Sequence, residues 1–448
     1  MANNNSLETA PVTKLIFKLA IPTVLAQLVN LLYNIVDRIY VGRIPETGSM
    51  SLAGLGVTFP IILLVSAFAM LAGMGGASRA AISMGAKDNK TAEKILGNCT
   101  MLLIIFSVFL SVIFLLTKDW ILLRFGASET TLGYASDYIT IYLFGTIFVQ
   151  LALGLNMFIT NQGFTKTSML TVCIGAVMNI VLDPIFIYVF GMGVKGAALA
   201  TIISQAVSCI WVLKFLTGKK TIIKIKPKNL VLNKDIVFSV LSLGISPFIM
   251  QATECLIQLT FNNGMLKYGN DLYVALMSIL FSLTQLIWMP LQGFSQGAQP
   301  VIGYNYGANK TDRVKKAFKV QFIVNLSFSV IAIGLVEIFP RFFLSLFTND
   351  ANLINIGENT TRLFLAGMSV MGAQSACQQT FLALGEAKIS MFLACLRKVI
   401  LLLPLALILP RIANMGVWGL LLAEPVSDVI AASCTTTVFY FKGRKLFR

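Results

Sequence analysis

Twelve stretches of the chain are apolar for longer than a soluble core could use: about 15–41, 52–83, 96–117, 133–160, 167–190, 195–217, 236–266, 272–303, 318–339, 356–383, 389–410 and 416–441. Each reaches or exceeds the ~20 residues that carry a helix across a bilayer. Backbone groups in hydrocarbon must satisfy their hydrogen bonds internally, so each run predicts a membrane-spanning helix. The predicted fold class is therefore an all-α polytopic membrane protein with twelve transmembrane helices. Charge agrees, since only 12% of residues are charged where a soluble domain carries ~25%. Several runs exceed one span, which predicts tilted or protruding helices. Prolines inside them (Pro22, Pro60, Pro184, Pro247, Pro290, Pro404, Pro425) are tolerated in membrane helices and offer bends. The first run continues for a full span without a small-residue cleavage site, so no cleavable signal peptide is expected.

The net charge of +16 would suit nucleic acid, but its placement does not. Of the 35 Lys and Arg, 25 lie in or beside the amino-terminal flank, the alternate connections beginning at 84–95 and the carboxyl-terminal tail. The opposite connections hold 9, and Arg79 lies inside segment 2. The positive-inside rule then places both termini and the long 218–235 connection in the cytoplasm. Topology and anionic headgroups account for the lysines of that connection, so the expected partner is the bilayer and not nucleic acid. The seven Cys are scattered singly through apolar segments and read as free thiols. There is no His. That removes His-ligated metal, His general bases and imidazole relays, and leaves carboxylates as the proton carriers.

The chain repeats itself. Leu19-Ala20-Ile21 with Gln27 recurs as Leu243-Gly244-Ile245 with Gln251, and Met84-Gly85-Ala86 recurs as Tyr306-Gly307-Ala308. Gly163–Met169 recurs as Gly385–Met391, and Met192–Gly196 as Met415–Gly419. All four pairs are offset by 222 to 224 residues. The expected domains are an amino-terminal six-helix lobe (1–217), a basic cytoplasmic linker (218–235) and a carboxyl-terminal six-helix lobe (236–448). Six spans per copy keep the copies in one orientation, related by an axis along the membrane normal. Transporters bind substrate where such repeats meet.

Polar residues interrupt the apolar runs at defined places. Gln27, Asn30, Asn34 and Asp37 share an arc of about 80° on segment 1, with Pro22 one to two turns earlier as a candidate hinge. A carboxylate in hydrocarbon costs roughly 3 kcal/mol or more, so this ridge must face helices or water. Asn179 and Asp183 stand at i, i+4 on segment 5, followed by Pro184, and Thr201 and Gln205 repeat the spacing on segment 6. Carboxylate, amide and hydroxyl oxygens suit a hard cation such as Na⁺, and two close carboxylates can equally share a proton. Segment 7 carries Gln251, Glu254, Gln258 and Asn262 on one face, with Glu254 in the register of Asn30. No basic residue precedes Lys267 on that segment, so Glu254 is expected unpaired and open to a cationic ligand. Arg397 on segment 11 is expected to pair with Glu424 or Asp428 of segment 12.

These features together resemble one family. The two six-helix halves, Pro22…Tyr33…Asp37, Asn179…Asp183-Pro184 and Thr201 resemble the MATE (multidrug and toxic compound extrusion) transporters, with a MepA-like bacterial branch as the nearest subgroup. The resemblance implies two pseudo-symmetric six-helix lobes around a central cleft in a bacterial inner membrane. It implies export of cationic, amphipathic small molecules in exchange for Na⁺ or H⁺, without cofactor or enzymatic activity, by a functional monomer. It implies a coupling site of Asp37, Asn179, Asp183 and Thr201, a possible Na⁺ site, with Tyr138 nearby and Asn34 beside it on the segment 1 ridge. Glu254 would contact substrate, with Gln251, Gln258 and Asn30 around it, while Pro22, Arg397, Glu424 and Asp428 would be structural. Branches with acids in segment 10 differ, because Gln374, Gln378 and Gln379 stand there. Two rivals remain. A lipid-linked saccharide flippase of the same superfamily would line its cleft with Arg for pyrophosphate. An intramembrane enzyme would need an Asp dyad or a nucleophile–base pair on facing helices.

Overall fold

The computed structural model describes residues 4–348 and 350–446. Its helices are α1 (Asn4–Thr9), α2 (Val12–Gly42), α3 (Gly48–Gly85), α4 (Asn89–Arg124), α5 (Glu129–Phe144), α6 (Thr146–Asn161), α7 (Thr165–Pro184) and α8 (Val194–Thr217). After the connection follow α9 (Lys234–Tyr268), α10 (Asp271–Gly307), α11 (Thr311–Ile338), α12 (Pro340–Ser345), α13 (Ala351–Leu365), α14 (Met368–Ala383), α15 (Ala387–Cys395), α16 (Leu403–Ile408) and α17 (Gly416–Leu446). Widened π-helical turns extend α7 over Ile185–Val189 and join α15 to α16 over Leu396–Leu402.

Ten helical runs are long and apolar enough to cross a membrane, and α5 with α6 forms an eleventh span bent by 60°. The twelfth is α13 with α14. Segments 4 and 10 of the sequence are thus each two helices, broken at Gly145 and at Ala366–Gly367. The α14 helix is polar for a membrane helix because its amides face protein. Met371 through Ala383 are all buried. Gln378 donates to the Ser390 carbonyl (2.8 Å) and Ser246 Oγ (2.9 Å), and Gln379 donates to Gln292 (3.2 Å).

The first six and second six spans form two lobes with separate apolar cores at one end and a shared core at the other. Val41, Leu55, Tyr138, Leu143 and Ala197 belong to a core built only of first-lobe residues. Ile257, Phe261, Leu283, Phe364 and Leu420 form its second-lobe counterpart. At the end bearing the chain termini and the 218–233 connection, Leu15, Leu19, Ala80 and Met84 merge with Val301, Tyr304 and Val314 in one core. The lobes close on each other there and part towards the opposite end.

The seal rests on backbone-to-backbone contact. A Cβ on Gly85 would lie 1.9 Å from the Tyr304 carbonyl oxygen, and one on Gly307 would lie 1.9 Å from that of Ile82. Ile82 and Tyr304 are 222 residues apart, as are Gly85 and Gly307, so the two repeats meet reciprocally across the pseudo-two-fold axis. Glycine is required because any side chain would strike a carbonyl that cannot turn aside. Thr23 Oγ1 donates to the Gly293 carbonyl (2.6 Å) and Gln27 Nε2 to Gln296 Oε1 (3.1 Å). Among the described residues, the Gln27 bond is the last from α2 to the second lobe. The α2 helix runs unbroken through Pro22.

The amino terminus clasps the seal from outside. Arg313 donates to the carbonyls of Leu7 (3.1 Å) and Ala10 (2.7 Å), Asn305 donates to that of Leu7 (3.0 Å), and Lys310 meets Glu8 at 2.8 Å. The basic connection is held against the first lobe. Gln162 Oε1 accepts from Thr221 Oγ1 and from the amides of Ile222 and Ile223, and Asn98 accepts from the Asn233 amide.

Candidate functional site

The first-lobe cluster sits where α7 ends at a residue that cannot continue the helical ladder. Pro184 has no N–H, and the following turn widens to a π-helix, a feature common at functional sites. Asp183 occupies the last ordinary turn and is fully buried. Asn179 Nδ2 donates to Asp183 Oδ1 (3.1 Å) and approaches Thr201 Oγ1 of α8 (3.4 Å). Thr201 spends its own proton on the Ala197 carbonyl (3.0 Å), which leaves its oxygen free to accept. Tyr138 of α5 is buried close to Thr201 and Asp37. From α2, Asp37 brings its carboxyl within hydrogen-bonding reach of Asp183.

Three oxygens of this cluster are buried without a partner: Asp37 Oδ1, Asn179 Oδ1 and Asp183 Oδ2. Orphaned acceptors of this kind are costly, and two carboxyl groups this close need a proton or a cation between them. The donor set, all hard oxygen, fits Na⁺ as well as a proton. The structure brings together Asp37, Asn179, Asp183, Thr201 and Tyr138, the set that the family resemblance implied. Asn34 stands apart: it is exposed, and its Nδ2 donates to the Asn30 carbonyl one turn back (2.7 Å). Asn30 is half-buried on the same helix.

The second-lobe cluster is built differently. Glu254 of α9 pairs with the Lys398 ammonium, and Gln258 follows one turn on along the same helix. The expectation of an unpaired Glu254 is therefore corrected, because its partner comes from another helix. The π-helical turn Leu396–Leu402 carries Arg397 and Lys398 as buried neighbours and sends them to different acids. Arg397 takes both candidate partners: its Nη2 meets Asp428 Oδ1 at 2.7 Å and Glu424 Oε1 at 3.1 Å, and its guanidinium lies over the Trp288 ring at 5.8 Å. Glu424 Oε2 and Asp428 Oδ2 have no partner. Gln251 is half-buried one turn before Glu254.

The profile of the MatE family matches twice, at residues 22–185 and again at 247–408. The chain belongs to the MatE family. This MatE chain is 25% identical over 426 residues to the multidrug export protein MepA of Staphylococcus haemolyticus, covering 95% of the chain and 93% of that protein. It is 25% identical over 431 residues to MepA of Staphylococcus aureus, with the same coverage. Among solved structures, a MATE protein in the bent conformation superposes with a TM-score of 0.92 at 23% identity, over 100% of this chain and 98% of the other. An outward-facing multidrug resistance MATE transporter gives 0.90 at 23% identity, over 98% of each chain. The fold is that of two MATE lobes.

Two members of the MatE chain's polar sites escaped the sequence. Lys398 follows Arg397 directly and reads as part of the basic flank of segment 11, since adjacent residues point 100° apart on a helix. Trp288 reads as one more aromatic in an apolar run. A second cation buried beside Arg397, in a stretch otherwise made of Leu, Val and Ile, was the available signal.

Proposed function

We propose that this protein is a cation-coupled (H⁺ and/or Na⁺) multidrug efflux antiporter of the bacterial inner membrane, working by alternating access. The observation that carries this reading is the first-lobe carboxyl pair with its three orphaned oxygens, a site shaped for one small cation or proton on an otherwise apolar wall. The MepA relatives, named as multidrug exporters, support the cargo class, and the family supports transport in place of enzymatic chemistry.

The excess of Lys and Arg assigns the sealed end and the 218–235 linker to the cytoplasm. The lobes, 1–217 and 236–448, then open outward in this state. Cation arriving from outside fills the Asp37–Asp183 site and draws α2 towards α7, with Pro22 as the place where α2 can bend. That movement narrows the cleft from the first-lobe side and expels substrate; substrate entering from the cytoplasm favours cation release inward. One inward charge yields ~2.3 kcal/mol per 100 mV. A swing from 1:99 to 99:1 needs ~5.5 kcal/mol, so substrate and cation share the switching energy.

The flippase alternative loses support because Arg397 and Lys398, the two bases of the second-lobe cluster, are committed to carboxylates. Proteoliposome uptake of a fluorescent organic cation, with Na⁺ and pH gradients imposed separately, tests the reading. Transport driven by neither gradient would overturn it, and the gradient that drives it names the coupling ion.

A further inference from the structure

The second-lobe cluster carries an uneven count of buried charge. Three carboxylates (Glu254, Glu424, Asp428) face two bases (Arg397, Lys398). Unneutralised charge is costly at membrane depth, so the cluster calls for one further positive charge, a proton at rest or a cationic ligand in its place.

The two bases are held unequally. Arg397 bonds two carboxylates and lies over Trp288, so its planar fork is fixed. Lys398 holds Glu254 alone, on a four-carbon stem with free rotation. The acids differ too. The Glu254 side chain keeps 31% of its surface accessible, whereas Glu424 keeps 9% and Asp428 none. An entering ligand therefore meets Glu254 first. Behind it, Glu424 Oε2 is buried and unpartnered, within electrostatic range of the Lys398 ammonium.

We infer that this cluster is a site for one singly charged organic cation, which takes Glu254 from Lys398 while the Lys398 ammonium moves to Glu424. Lys398 is a tethered cation that keeps Glu254 neutralised until cargo arrives. The incoming charge brings the count to three and three; a second charge on the same ligand would leave the cluster with one cation too many. The inference rests on the efflux reading and narrows its substrate class to monocations.

The test uses the full chain in nanodiscs and two probes with the same aromatic headgroup, 1-decylquinaldinium (one charge) and dequalinium (two charges). Wild type should bind the monocation at least tenfold more tightly per headgroup than the dication. Lys398→Met keeps the apolar stem and removes the charge, so the preference should reverse by tenfold or more, and Lys398→Arg should restore it. Glu424→Gln removes the receiving negative charge and evens the count, and monocation affinity should fall at least tenfold. A Lys398→Met ratio within threefold of wild type would overturn the inference while cation binding by wild type left the efflux reading standing. Failure of wild type to bind either probe would overturn both. Should Glu424→Gln not fold, the Lys398→Met ratio decides alone.

Discussion

Gly307→Ala tests whether the seal between the lobes is steric. The new Cβ would lie 1.9 Å from the Ile82 carbonyl oxygen and 2.8 Å from its carbon. Carbon–oxygen contacts settle near ~3.3 Å even when attractive, so the lobes must part by over an ångström at this point. Both atoms are backbone in buried helices, and no rotamer relieves the clash. Forced overpacking of this kind costs ~1–3 kcal/mol. The contact joins the lobes, so the cost falls on the sealed state and vanishes when that end opens, which shifts the balance ~5–150-fold towards opening. Spin labels at Lys90 and Lys316, both exposed at this end, in a cysteine-free background would gain a longer distance component. Gly85→Ala should do the same. The double variant should add less than the sum, because the first methyl has already opened the gap. Gly334→Ala, on α11 where an added Cβ meets nothing within 4 Å, should leave the distances alone. Unchanged distances in both Gly307→Ala and Gly85→Ala would refute the steric account.

Asp37→Asn and Asp183→Asn should each abolish gradient-driven export while the protein folds normally, read by transport beside thermal stability; normal export by either would remove the coupling site. Arg397→Met should lower stability by ~3–5 kcal/mol because it strands two buried carboxylates, and adding Glu424→Gln with Asp428→Asn should recover much of it in a thermal melt. A cysteine replacing exposed Lys220 should resist impermeant reagents in intact cells, and strong labelling would invert the assigned topology. The hydrogen bond and charge of Lys310 hold the Glu8 carboxyl below its usual range. Its contribution to the clasp is therefore complete at neutral pH and is lost as pH falls through that lowered value. Label distances at the sealed end should show an acid-side change that Glu8→Gln removes.

The sequence made the spans, the repeat and the Asn179–Asp183 pair legible for one reason: each is written in local spacing, whereas Asp37, Thr201 and Tyr138 join that pair from other helices and were expected from the family resemblance. Apolar length marks a span, a fixed offset marks a repeat, and Asn179 and Asp183 meet because i and i+4 share a helix face. What it hid lies between distant segments. Glu254 looked unpaired because its partner is 144 residues away on another helix. The breaks at Gly145 and Gly367 were masked by apolar sequence that continues through them. The amides of α14 are buried against neighbouring helices, and which helices those are is not written in the spacing of the segment itself. The clasp was equally invisible, since Leu7 and Ala10 contribute only backbone carbonyls, a group that every residue possesses.

The reciprocal crossing of Gly85 on Tyr304 and Gly307 on Ile82 is what an isologous dimer interface looks like, with patch i touching j and j touching i. A single six-helix polypeptide carrying only the Ile82–Gly85 patch could therefore dock against a second copy of itself with no redesign of the contact. The covalent connection then acts chiefly by raising the local concentration of one half near the other. It also frees the halves to differ. In a homodimer every substitution is made twice, so a pocket with two unpaired acids on one side and an ion-pair lattice on the other is out of reach. Joining the copies in one chain is what let the two pockets diverge while the interface between them kept its two-fold form.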